Sequence, residues 1–241
     1  MSGHSKWANI KHKKERTDAK RGKIFTRIIR EVSVAARIGG AEISSNARLR
    51  LAVDKAFSAN MPKDTIYRAI DRGAGHLEAV DYVALRYEGY GAGGAAVMVD
   101  CLTDNKTRTA ANVRHAFSKF GGNMGTSGCV AFQFVEQGYL LFSPQTDENT
   151  LMEAALNAGA EDMIKQEDNS FEVITSPENF IAIRTALNKK GLNAADGEVT
   201  LYPINKIILN AQDSLQTQQL IDALEDLDDT QAVYTTAVFN E

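Results

Sequence analysis

At Tyr82 the hydrophobic period of the chain changes, and that change limits the fold more than any other feature. Before it, apolar residues recur at the spacing of one face of a helix. After it, "YVALRYEGYGAGGAAVMVDCLTD" reads as strand, Gly turn, strand, and further strand and helix patterns follow to the end of the chain. The expected class is α+β: an N-terminal helical bundle followed by two ferredoxin-like α+β domains, one inserted in the other.

The helical part has three pieces. Residues 1 to about 18 are polar and lack a sustained period, which predicts an extended, mobile arm with Trp7 and Ile10 as its few large apolar groups. From about Ala19 to Ile38, Ile24, Phe25, Ile28, Ile29, Val32, Ala35 and Ala36 fall in one helical arc, with Lys23, Arg27, Arg30 and Arg37 roughly opposite. A second amphipathic helix follows on Leu49, Ala52, Val53, Ala56 and Phe57, after a Gly stop and a Ser/Asn start. "NMPKDTIYRAIDRGAG" predicts a third, with Asn60 as its cap and Gly73 at its end.

In the body, a helix is expected in "NKTRTAANVRHAFSKFGG" and strands in "GCVAFQFVE" and "GYLLFS". A helix over about Asp147 to Ala158, strands near "EDMIKQ" and "SFEVIT", a helix opened by Ser176 and Pro177, and a strand ending near "VTLYP" complete a β-α-β-β-α-β run. One more helix and strand at the end would complete the unit begun at Tyr82, leaving the middle run as an insertion. The expected domains are therefore 1–80, 81–135 with 205–241, and 136–204.

Charge divides the chain at the same point. Residues 1–80 hold 17 Lys+Arg against 8 Asp+Glu, the remainder 10 against 23, and residues 1–30 alone hold ten against two. A basic head attracts a polyanion through phosphate contacts and counterion release, whereas an acidic body repels one. No stretch approaches a membrane-spanning length of apolar residues, and the first thirty lack a secretory apolar block, so a cytoplasmic protein is expected. Cys101 and Cys129 have neither CxxC spacing nor nearby His ligands; they read as buried thiols rather than a disulfide or a metal site.

Catalytic motifs are weak. Gly89 to Gly94 matches GxGxxG, but the residues after it form a strand pattern where a dinucleotide site needs a helix N-terminus, so a hairpin turn is expected. His4, His12, His76 and His115 show no HExxH spacing, and the carboxylate pairs lack a nucleophile or oriented base nearby. No enzyme activity, cofactor or metal is expected. In the helix over Thr107 to Phe120, Ala110, Val113, Phe117 and Phe120 share one side. Arg108, Asn112, His115 and Lys119 line the other, a possible secondary nucleic-acid contact on Arg108, His115 and Lys119. The loop "GGNMGTSG" after it is rich in backbone donors, and the acidic cluster Glu225 to Asp229 reads as solubilising surface.

"GHSKWANIKHKK", "ANMPKDTIYRAIDRG", "YEGYGAGG" and "CLTDNKTRTAANVRHAFSKFGGNMGTSG" together resemble the YebC/PmpR family, over essentially the whole chain. Two departures are visible: Ala92 stands where the family typically has Pro, and Cys129 where Ser is more usual. The resemblance implies three domains and a cytoplasmic DNA-binding transcriptional regulator; relatives that act as translational activators or ribosome-associated factors supply the alternative, with ribosomal RNA as target. In either case the expected nucleic-acid contacts are Lys6, Lys11, Lys13, Lys14, Arg16, Lys20, Arg21, Lys23, Arg27 and Arg30.

Overall fold

The computed structural model describes residues 6–77, 81–166 and 168–239, with side chains from residue 22 onward. Its first element, α1, runs unbroken over Lys6–Gly39. The expected extended arm is therefore corrected: the backbone is helical from Lys6. Lys, Arg, Ala and Glu dominate its first turns, and these are strong helix formers even without an apolar stripe. The periodic part behaves as predicted, with Val32, Ala35 and Ala36 buried and Phe25, Ile28 and Ile29 packed beside them.

α2 (Ala47–Ser58) opens on Asn46, whose side-chain oxygen accepts from the Leu49 N–H at 3.0 Å. The same amide donates to the Ala35 and Gly40 carbonyls, each at 2.8 Å, so one residue caps α2 and fixes the end of α1. α3 (Lys63–Gly73) starts after Pro62; the expected cap Asn60 instead takes a left-handed φ of 57° two residues earlier. Leu49, Val53, Ala56, Ile66 and Ile70 close the bundle against α1.

The chain continues through β1 (Val83–Tyr90), a 3-10 turn (Ala92–Gly94), β2 (Ala96–Thr103), α4 (Lys106–Lys119), β3 (Asn123–Met124), β4 (Phe134–Phe142) and α5 (Glu148–Ala158). It ends with β5 (Asp162–Lys165), β6 (Phe171–Thr175), α6 (Phe180–Lys189), β7 (Asp196–Pro203), β8 (Ile207–Ile208), α7 (Ala211–Glu225), β9 (Thr230–Thr235) and β10 (Ala237–Val238). These form two compact units, one of Ala19–Phe132 with Asn205–Glu241, the other of Gln133–Ile204 with Met1–Asp18.

In the first unit an antiparallel sheet of order β3-β1-β2-β9 is covered by α4 and α7, where Val97, Val99 and Cys101 meet Val113, Phe117, Leu220 and Leu224. β1 and β2 pair directly as a hairpin, with Tyr90 opposite Ala96, so the GxGxxG match is a turn between strands, as expected. Gly93 takes φ +67° in that turn, a conformation side chains disfavour. Ala92 is buried, and its carbonyl accepts from the Thr217 hydroxyl of α7 at 3.3 Å.

In the second unit the sheet order is β5-β6-β4-β7, all antiparallel, and the chain order is β-α-β-β-α-β. The α+β class holds, and the two sheets reach it by different routes: the split unit is the inserted one, the outer sheet starting from a hairpin. α5 and α6 pack on Leu140, Phe142, Phe171 and Val173. The two strands expected in "GCVAFQFVE" and "GYLLFS" are one: β4 begins at Phe134, after a 3-10 turn, and runs through Gly138. Gly138 is a ladder residue opposite Thr175 and Val199, not a break, and a Cβ there would lie 2.2 Å from Thr175 Oγ1.

Candidate nucleic-acid interface

Lys23, Arg27 and Arg30 stand at i, i+4 and i+7 on α1 and so form one cationic stripe. The structure turns that stripe onto the corner between α7 and β9. Lys23 Nζ lies 3.1 Å from both the carboxylate and the carbonyl of Asp226, and Arg27 donates to the Glu225 carbonyl. Arg30 Nη1 donates to the carbonyls of Leu102 (3.0 Å) and Asp228 (2.7 Å) and to Asp229 Oδ1 (2.8 Å), while its guanidinium lies 5.3 Å from the Tyr82 ring centre. The acidic cluster read as solvated surface is instead the dock for α1. The two segments lie some two hundred residues apart, and no local pattern signals a pairing at that distance.

Asp229 is the hub of this corner. Its carboxylate also accepts from Arg108 Nη2 at 3.0 and 3.1 Å and from the Thr109 hydroxyl at 2.8 Å, and its side chain is 7% exposed. Burial opposes ionisation, but the hydrogen bonds from Thr109, Arg108 and Arg30 outweigh it and hold the carboxyl below the usual range. Burial likewise lowers the Arg27 guanidinium, against the raising fields of Glu225 and Asp226. Arg108 bonds Asp104 at 2.8 Å as well, so its charge is shared by two carboxylates.

A cleft of about 430 Å³ opens here. Asp104, Asp226, Asp228 and Asp229 outnumber Arg30 and Arg108 on its walls, so its field repels phosphate. The donor-rich loop after α4 is also occupied. The Gly128, Val130 and Ala131 N–H groups donate to the Glu88 carboxylate at 2.8 to 2.9 Å, and Gly125 N donates to the Glu88 carbonyl. Burial raises Glu88, yet those three amides win and leave it below the ordinary carboxylate value. This loop holds an internal anion in place of an external one.

Of the expected contacts, Lys23, Arg27, Arg30 and Arg108 thus come together, but on carboxylates and carbonyls of this chain. The side chains of Lys6, Lys11, Lys13, Lys14, Arg16, Lys20 and Arg21 lie outside the described residues. His115 and Lys119 are exposed on α4, the Lys119 ammonium 5.2 Å from the Phe120 ring centre, and Arg114 is exposed beside them. Arg114 was not anticipated, because helical spacing puts it off the Arg108 stripe; its charge was the only signal. Cys101 is a buried free thiol, pushed by burial up to about 11, whereas Cys129 is only half-buried. No helix among the described residues is long and apolar enough to cross a membrane.

A helical head on an outer antiparallel sheet, with a second sheet inserted, defines a modular α+β protein in which Lys23, Arg27 and Arg30 of the head are spent on the α7–β9 corner. Residues 5–76 match the TACO1/YebC protein N-terminal domain and residues 82–237 the TACO1/YebC second and third domain. The chain belongs to the TACO1/YebC family. It is 65% identical over 240 residues to a "probable transcriptional regulatory protein" of Laribacter hongkongensis, covering all of both chains, and 63% identical to one of Neisseria meningitidis serogroup B, covering all of this chain and 99% of that one. Among solved structures, a conserved hypothetical protein of Aquifex aeolicus superposes with a TM-score of 0.86 at 42% identity, covering 98% of each chain.

Proposed function

We propose that this protein is a non-enzymatic regulator of gene expression that binds duplex DNA through the cationic side chains of Lys6 to Arg21. One observation carries the reading. Lys23, Arg27 and Arg30 are committed to the α7–β9 corner, and the stretch before them carries seven further cations, Lys6, Lys11, Lys13, Lys14, Arg16, Lys20 and Arg21, against only Glu15 and Asp18. Such a segment gains its affinity from phosphates and reads sequence weakly. His115 and Lys119, with Arg114, form a secondary contact on α4. The names of the relatives agree with a regulatory role. The carboxylates with displaced pKa values, Glu42, Glu88, Asp147 and Asp229, are all consumed by structural hydrogen bonds, in keeping with a role without catalysis.

Cosedimentation with purified ribosomes, titrated with a promoter-length duplex, tests this against the translational alternative. Saturable duplex binding that strips the protein from ribosomes is expected. Ribosome binding that the duplex cannot displace would move the function to a ribosome-associated translation factor that meets ribosomal RNA with the same side chains.

A further inference from the structure

Lys23, Arg27 and Arg30 share one side of α1, but the α7–β9 corner holds them to very different degrees. Arg30 Nη1 has three acceptors, the Leu102 and Asp228 carbonyls and Asp229 Oδ1, and its side chain is 12% exposed. Separating so buried a pair is costly, which fixes Arg30 in place. Lys23 meets Asp226 in a pair whose side chains are 44% and 52% exposed. Exposed pairs of that kind contribute little and weaken further as salt rises. Arg27 is bonded to one main-chain carbonyl, that of Glu225.

The oxygens that Lys23 and Arg27 meet have a common origin. Glu225 ends α7 and Asp226 follows it, where the last carbonyls of a helix carry the negative end of its dipole. One carboxylate and two carbonyls are thus gathered on the pair, much as a phosphate presents its own oxygens. For Arg27 the arrangement is incomplete. Its Nε is buried with no acceptor among the described residues, and burial disfavours its charge. Arg30 Nε shares that defect, but its guanidinium has the three bonds above to hold it. An unmet donor on a desolvated guanidinium costs free energy, and a carbonyl brings no net charge to offset it. A phosphate supplies both a full charge and two oxygens for the guanidinium fork.

We propose that Lys23 and Arg27 are a masked phosphate-binding pair: the C-terminal end of α7 occupies them in the free protein, and a nucleic-acid backbone takes them over while Arg30 keeps the head on the body. The proposal rests on the nucleic-acid reading above for the identity of the polyanion, and adds to it a second anchor made by exchange. Both side chains are long and flexible, so they turn outward by rotation about their own bonds with α1 held still. The α7 contacts must be given up first. The corner therefore lowers affinity for nucleic acid and favours partners dense in phosphate.

Each phosphate neutralised by a cation steepens the dependence of log affinity on log salt by about one. In anisotropy titrations of a labelled promoter-length duplex, Lys23→Gln and Arg27→Gln should each flatten that slope by about one relative to the unmodified protein. Arg48→Gln removes a head cation paired with Glu31 at 2.7 Å and should leave the slope unchanged. Slopes unaffected by the first two substitutions, or flattened equally by the third, would overturn the proposal and leave Lys6 to Arg21 as the anchor. The Arg27 Nε–H resonance of the isotope-labelled, unmodified protein gives a direct readout. It should shift on saturation with duplex while that of Arg30 stays. Inorganic polyphosphate serves as a second probe: if it moves the Arg27 resonance and duplex does not bind, the phosphate pair stands and the nucleic-acid reading fails. An Arg27 resonance indifferent to both overturns the pair, and this measurement decides the question even if a variant fails to fold.

Discussion

Asp229 accepts hydrogen bonds from Arg30, Arg108 and Thr109 on α1 and α4, and its own carbonyl accepts from Leu102 N at 2.8 Å. One carboxylate thus joins the helical head, the helix covering the sheet and the edge of β2. Removing it leaves Arg30, whose side chain is 12% exposed, as an unpaired buried cation, and losing one partner of a buried pair is costly. Asp229→Ala should lower unfolding stability by about 3 kcal/mol, read from urea denaturation. The pH dependence has a definite sign. Because the folded carboxyl lies below its unfolded value, its stabilisation is complete above that value, about pH 4, and fades as pH falls through the folded pKa. The gap between the two proteins should therefore be full at neutral pH and narrow in acid. A gap independent of pH would mean that lost packing, not charge, accounts for the change.

At the scale of elements, what the sequence disclosed depended on how local its cause was. The buried arc of α1, the Asn46 cap and the Gly93 turn follow from residues within one or two turns of each other, and each was legible. The start of α1 was not, because Lys, Arg and Ala favour a helix without writing an apolar stripe. β4 was misread for a related reason: Gly138 looks like a turn signal, yet it is glycine because Thr175 and Phe180 leave no room for a Cβ, the nearest atoms lying 2.2 and 2.8 Å from where one would sit. Gly138→Ala should cost about 2 kcal/mol through overpacking, measured by thermal unfolding. Thr175 and Phe180 are buried and cannot move aside cheaply. Unchanged stability would show that the strand has slack at that point.

Across the whole molecule the organising quantity is charge. The division between a basic head and an acidic body was plain from counting residues, but its use was not. Three of the four cations of α1 whose side chains are described face the cluster at Glu225 to Asp229, a pairing set by tertiary contact between distant segments. The densest run of cations in the sequence outside that pairing is Lys6 to Arg21, and the central claim is that this stretch anchors the protein to nucleic acid. Fluorescence anisotropy of a labelled duplex over a salt series, comparing the natural protein with Lys11→Glu, Lys13→Glu and Lys14→Glu combined, tests it directly. The account predicts sharply weaker binding and a flatter dependence of log affinity on log salt in the variant. Equal affinities with equal slopes would contradict it.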